Sequence, residues 1–230
     1  MGGARGLVWL FDLDNTLHDA SHAIFPAINR NMNALITRVL SSQSLPSHPE
    51  AVNEVRVRYW QRYGATLLGM IRHHGVRADD FLRDAHQFDD LAGMIRAERG
   101  IARLMRRLPG RKILLTNAPR EYSGFVLRHL GLRRHFAEHV PIEAMQVHGH
   151  FRPKPSRLML RRLLRRQKLD ASRCVLVEDT LENLKSARSL GLRTVWFTGY
   201  LPPAFFRPTY ADVQVKSLHQ LPKRLARMRW

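Results

Sequence analysis

Four short apolar runs punctuate a chain whose other hydrophobic positions recur mostly at helical spacing. The first, Leu7-Val-Trp-Leu-Phe, runs straight into Asp12. The others are Lys112-Ile-Leu-Leu-Thr116, Cys174-Val-Leu-Val-Glu178 and Thr194-Val-Trp-Phe-Thr198. A continuous apolar run of this length reads as a strand covered on both faces, as in a parallel sheet. Each run is preceded or followed by a helical pattern, and alternating strands and helices predict a doubly wound α/β fold.

Between the first and second runs lie about ninety residues that read almost wholly as helix. Ile24, Ala27, Ile28, Leu35, Ile36 and Val39 fall on one stripe, and Val52, Val55, Tyr59 and Tyr63 repeat it further on. The Ser- and Pro-rich stretch from Ser41 to Pro49 breaks the two apart. An insertion directly after the first strand is expected above the carboxyl edge of the sheet, where open α/β folds bind ligands, and so to act as a lid. The expected division is a core of residues 1–18 and 100–230 and an inserted helical cap of residues 19–99. Gly64 and Gly75 read as helix terminators rather than hinges. The segment from Gly199 to Pro208, with three prolines, reads as an irregular loop, and Leu221 to Trp230 as a short helix or tail.

Composition adds three constraints. With 230 residues, 44% hydrophobic and 25% charged, the chain can bury one core and carry an insertion. Its single cysteine, Cys174, sits inside an apolar run and reads as a packed core residue, consistent with a reducing compartment. No stretch is apolar enough to span a bilayer and the amino terminus lacks signal-peptide regions, so a cytoplasmic location is expected. The net charge of +19 would attract anionic metabolites and nucleic acid alike. The arginines, however, are spread through amphipathic helices as in Arg103-Leu-Met-Arg-Arg and Arg161-Arg-Leu-Leu-Arg-Arg, with no helix-turn-helix, zinc-finger spacing or aromatic-rich RNA-binding strand. A solvated helix face is the simpler reading, and nucleic acid is not the expected partner. The twelve histidines form no zinc-like spacing, and the pattern specifies no oligomeric state.

The chemistry gathers at strand ends. Asp12-Leu13-Asp14-Asn15-Thr16 follows the first strand, and two carboxylates one residue apart can face one crevice. Such neighbours repel unless a cation offsets them, which makes a divalent metal their natural companion. Thr116 and Asn117 end the second strand with a hydroxyl and an amide able to donate to phosphate oxygens. Lys154, between Pro153 and Pro155, presents a point charge from a stiff loop. Glu178-Asp179-Thr180-Leu-Glu-Asn183 follows another buried strand; Asp179 is a hard oxygen ligand suited to Mg2+, with Glu178 and Asn183 placed to orient waters or contact Asp179 from behind. Singly, each motif could be a turn or a helix cap.

Together and in this order, Asp12-x-Asp14-Asn15-Thr16, Thr116-Asn117, Lys154 between prolines and Glu178-Asp179-Thr180-x-x-Asn183 resemble the four motifs of the haloacid dehalogenase-like hydrolases, over Val8 to about Phe197. The resemblance implies a Rossmann-like core with a helical cap between the first and second motifs. It implies Asp12 as nucleophile, Asp14 as general acid and base, and Thr116, Asn117 and Lys154 as phosphate holders. It places Mg2+ between the Asp12 side chain, the Asp14 carbonyl and the Asp179 side chain. The dehalogenases that name the family lack an acid at the Asp14 position, having no alkoxide to protonate, so Asp14 implies a phosphate ester. Asp12-Leu-Asp-Asn-Thr-Leu17 followed by His18, with Thr116-Asn117-Ala118, is further similar to pyrimidine 5'-nucleotidases and implies a nucleoside monophosphate or another small phosphorylated metabolite. Glu178 and Asn183 stand where many relatives carry aspartate. Two other functions compete: a phosphoglucomutase-like phosphotransferase, and a basic nucleic-acid-binding protein on the same scaffold.

Overall fold

The computed structural model describes residues 6–202 and 210–225. The chain divides into two compact units, one comprising the residues up to Ala20 and from Ile95 onward, the other Ser21–Met94.

In the larger unit the first strand, β1 (Val8–Phe11), is buried along its whole length, with Trp9, Leu10 and Phe11 fully enclosed. Such a strand is stable only in the middle of a sheet with cover on both faces. It pairs in parallel with β2 (Arg111–Leu115) on one side and with β6 (Cys174–Glu178) on the other. Outward from β2 lies β3 (Glu138–Val140); outward from β6 lie β7 (Arg193–Phe197) and then β8 (Val213–Val215). All five pairings are parallel, and the sheet order is β3-β2-β1-β6-β7-β8. The connections are helical: α6 (Ile101–Arg107) before β2, α7 (Arg120–His129) before β3, α8 (Arg157–Arg166) before β6 and α9 (Leu181–Arg188) before β7. This is the doubly wound α/β core expected from the pattern. Because the chain winds from β1 first to one side and later to the other, the strand order reverses beside β1, where open sheets form a crevice at the carboxyl ends.

The apolar runs lie within a residue of the strands they predict. Three elements were not visible in the pattern: β3 and β8, each three residues long at a sheet edge, and a separate hairpin of β4 (Gln146–Val147) and β5 (His150–Phe151). Cys174 is buried in β6 as expected, and burial pushes its thiol up to about 12. Lys112 is only 7% exposed within β2, and its ammonium donates to the Leu108 and Gly110 carbonyls at 2.6 and 3.1 Å, a buried charge paired with backbone dipoles.

The second unit is helical: α1 (Ile24–Ser42), α2 (Pro49–Tyr63), α3 (Thr66–His74), α4 (Ala78–Ala85) and α5 (Leu91–Met94). The stripe on α1 is buried except that Leu40 takes the inward position expected of Val39. Gly64 and Gly75 both terminate helices in the left-handed conformation, with φ of 80° and 65°. Gly69 is required for a different reason, since a Cβ there would lie 2.2 Å from the Tyr59 ring packed across it. At the end of the chain, α10 (Leu221–Leu225) accounts for the described part of the expected short helix. Residues 203–209 of the expected loop, and the tail beyond Leu225, lie outside the described residues.

Candidate functional site

At the carboxyl end of β1 the chain stays in register for one more residue, Asp12 N–H donating to the Val177 carbonyl at 3.0 Å, and then turns sharply. Thr16 and Leu17 both donate back to the Leu13 carbonyl, at 3.2 and 2.8 Å, with Asn15 left-handed at φ 57°. Asn is among the few residues other than glycine that adopt this conformation readily, so the Asp-Asn sequence suits the turn. The turn returns Thr16 to Asp12: its hydroxyl donates to Asp12 Oδ2 at 3.1 Å. Lys154 Nζ donates to the other oxygen, Oδ1, at 2.6 Å. Both oxygens of a 5%-exposed carboxylate are thereby fixed in orientation.

Lys154 is itself 3% exposed and also donates to Glu178 Oε2 at 2.7 Å. Its loop is clamped from below. Asn117 Nδ2 donates to the Lys154 carbonyl at 3.0 Å, and the Lys154 N–H donates to Asn117 Oδ1 at 2.9 Å. The Lys154–Pro155 peptide is cis, and the Pro155 carbonyl accepts from Ser186 Oγ at 2.5 Å. Both polar atoms of the Asn117 side chain thus position the lysine loop, and the second Nδ2 proton is left for the phosphate contact expected of it. Thr116 fits its expected part too. Its oxygen accepts from the Ala118 N–H at 3.0 Å, and its own O–H has no acceptor among the described residues.

Asp12, Glu178 and Asp179 each offer a carboxylate oxygen, and these three atoms lie within 4.8 Å of one another. Glu178 thus stands inside the acidic cluster, on Lys154 and in the side-chain contact with Asp179 expected of it. Asn183 hydrogen-bonds Glu178. Burial, followed by the charge of Glu178, pushes Asp12 up to about 7 even against the pull of Lys154. Asp179 is driven well above the usual carboxylate range, first by burial and then by the charges of Glu178 and Asp12. Glu178 moves the other way: burial alone would raise it, but Lys154 and its hydrogen bonds to Asp179, Lys154 and Asn183 hold it low. Lys154 is held above its ordinary value because two carboxylates outweigh the effect of burial. Two buried acids and a partly buried third around one ammonium leave negative charge uncompensated when ionised, and an all-oxygen donor set is the chemistry that suits a hard divalent cation.

Asp14 is held by residues the motif does not reveal. Tyr122, in the first turn of α7, donates its phenolic proton to Asp14 Oδ1 at 2.6 Å, and His18 Nε2 meets the same oxygen at 2.9 Å. An ionised carboxylate can only accept, so with Asp14 ionised the histidine donates from Nε2. Burial, then the Asp14 charge, keeps Tyr122 protonated far above the usual tyrosine range. Tyr122 lies 108 residues from Asp14, and no local spacing could have identified it.

A model of the haloacid dehalogenase-like hydrolase family matches residues 8–191. Among solved structures, a 2-haloacid dehalogenase from Pseudomonas syringae pv. Tomato DC3000 is 25% identical, with a TM-score of 0.58 and 96% of this chain and 99% of that one covered. A HAD phosphatase from Thermococcus onnurineus is 16% identical, TM-score 0.64, with coverage of 98% and 100%. A HAD-type hydrolase from Bacillus subtilis, solved bound to magnesium, is 17% identical, TM-score 0.59, with coverage of 96% and 98%. The last two likenesses are of fold alone. Among the described residues, no helix is long and apolar enough to cross a membrane.

Proposed function

The chain belongs to the haloacid dehalogenase-like hydrolases, and within that family we propose that it is a magnesium-dependent phosphatase that transfers the phosphoryl group of a small phosphate monoester to Asp12 and then to water. The observation that carries this reading is the second carboxylate, Asp14, gripped by Tyr122 and His18 beside Asp12. Displacing halide from carbon makes no alkoxide and needs no proton donor there. A phosphate ester leaves as an alkoxide and does need one.

In the first half-reaction an Asp12 oxygen forms a bond to phosphorus as the ester oxygen leaves, and Asp14 in its acid form gives that oxygen its proton. Tyr122 and His18 stabilise the Asp14 carboxylate that results. In the second, Asp14 takes a proton from water, the water oxygen bonds to phosphorus, and Asp12 is released with inorganic phosphate. Lys154 and the Thr116 hydroxyl would hold the phosphoryl oxygens through both steps, with Asn117 keeping the Lys154 loop in place. Mg2+, held by Asp12, Asp179 and the Asp14 carbonyl with Glu178 and Asn183 in support, would offset charge between carboxylate and phosphate so that the two can approach.

A nucleoside monophosphate is the favoured substrate, because the first motif with its His18 and the Thr116-Asn117-Ala118 triplet are similar to pyrimidine 5'-nucleotidases. The test is release of inorganic phosphate from a panel of nucleoside monophosphates and sugar phosphates, with Mg2+ or with chelator, by wild type and Asp12→Asn. Chloride release from 2-chloropropionate is measured alongside. Metal-dependent phosphate release absent from Asp12→Asn supports the proposal. Halide release without phosphate release would replace it with a dehalogenase, and return of the phosphoryl group to a sugar would replace it with a phosphotransferase.

A further inference from the structure

The helix α8 carries a charge that the catalytic reading does not use. Residues 157–168, Arg-Leu-Met-Leu-Arg-Arg-Leu-Leu-Arg-Arg-Gln-Lys, contain six basic side chains and no acid. Their apolar neighbours Met159, Leu160, Leu163 and Leu164 are buried in the sheet's core, which turns Arg157, Arg161, Arg162, Arg165, Arg166 and Lys168 outward as exposed residues. Arg166 pairs with Glu138 at 3.3 Å; the other five have no carboxylate within ion-pair distance among the described residues. Like charges at i,i+4 on one helix face repel, so apart from Arg166 the row finds no stabilising partner in the fold.

Beyond its first turn this face also leads away from the site. The chain enters α8 just after Lys154, at the carboxyl edge of the sheet, and runs back toward the amino edge, where β6 begins. The far end of the helix is anchored there. Arg166 reaches Glu138, the first residue of β3, and Gln167 accepts from Arg111, the first residue of β2, at 2.6 Å. The exposed Arg134 and Arg173, which precede β3 and β6, extend the positive surface along the same edge. Cations at this edge are badly placed to draw a small anion into a crevice at the opposite one.

We propose that the outer face of α8 is a docking surface for the phosphate backbone of double-stranded nucleic acid, bound without reading its sequence. A helix of ten residues is about 15 Å long, and i,i+4 spacing sets the Cβ atoms of Arg157, Arg161 and Arg165 in one row about 6 Å apart. A rigid helix thus presents a row of cations along a line of phosphates, and guanidinium forks suit phosphate geometry. Other occupants fit less well. Leu158 is the one large apolar side chain exposed on this face, and the helix's apolar stripe is already buried, so α8 has nothing to insert into a bilayer. No exposed aromatic lies on it to stack the bases of a single strand.

The test is fluorescence anisotropy of a labelled 24-base-pair duplex of arbitrary sequence titrated with the full chain at several salt concentrations. Five free cations predict binding whose log affinity falls with log salt at a slope of about −4.5. In the Arg161→Gln/Arg165→Gln double variant that slope is expected to shrink by about 2, while changing the duplex sequence leaves affinity unchanged. Glutamine keeps the helix, and an unchanged thermal unfolding midpoint shows that the fold is intact. Equal affinity and slope in wild type and variant would overturn the proposal. So would tighter binding of the corresponding single strand, or of phosphatidylglycerol vesicles, than of the duplex.

Discussion

The two edges of the sheet hold charge in opposite ways. At the carboxyl edge, Asp12, Lys154, Glu178 and Asp179 are clustered and largely withdrawn from water, with Asp12 and Glu178 bonded to the lysine at 2.6 and 2.7 Å. Along α8 the charges are exposed and all positive, and five of the six have no carboxylate within ion-pair distance among the described residues. Water separates the two regimes. Removed from solvent, each charge acts strongly on its neighbours, which is why Asp12 and Asp179 are forced up and Lys154 is locked into its ionised form. In solvent, the arginines of α8 coexist at small cost, and their summed effect is a long-range field rather than a set of bonds.

Breaking the buried side of this comparison should cost most. Asp12→Asn is expected to lower phosphate release at least about 1,000-fold, since the nucleophile is lost while the fold remains. Next comes Lys154→Met. It leaves buried carboxylates without their counter-charge, and chemical denaturation in the absence of metal should show a loss of about 3–5 kcal/mol. An equally stable variant would show that the cluster is more solvated than its burial implies. Tyr122→Phe removes one charged hydrogen bond from Asp14 and should lower kcat about 10- to 100-fold with little change in KM, in line with about 1.5–3 kcal/mol for such a bond.

A smaller effect belongs to His139, which lies on β3 between the two extremes. Its Nε2 is 2.7 Å from the buried Ser123 hydroxyl, and burial, then Arg120 and Arg133, push it down to about 4. In the unfolded chain a histidine takes up its proton near pH 6.5, so between these values the unfolded state binds more protons than the folded one. The stabilisation is therefore complete above about pH 6.5 and is lost as pH falls toward 4. Because His139 is only half-buried, about 1–2 kcal/mol is expected, less than the full shift implies. Unfolding free energies measured across this range should fall less steeply in His139→Gln than in wild type. Smallest of all, Arg161→Gln should change stability by no more than about 0.5 kcal/mol, because no partner is lost. A larger loss would place α8's arginines in the fold rather than on a working surface.

Legibility followed the same division. The acids after β1 and β6 could be read because buried parallel strands leave an apolar signature, and an acid directly after one has few structural reasons to be there. The strand ends of Asp12, Thr116 and Glu178 were visible for that reason. The short edge strands β3 and β8 were not, because three residues with polar neighbours carry no periodicity.

The residue sequence by itself determined the parallel core, the helical insertion, the ordered motifs and the excess of positive charge, since each is a property of neighbouring residues or of a sum over the chain. Tertiary structure alone decided that Tyr122 would reach Asp14 across 108 positions, that Asn117 would clamp the Lys154 loop, and that Glu178 would join the acidic cluster. It decided, too, which arginines face solvent together at one edge. These are consequences of strand order, and the order β3-β2-β1-β6-β7-β8 is set by packing among segments far apart in the chain, which no local pattern encodes.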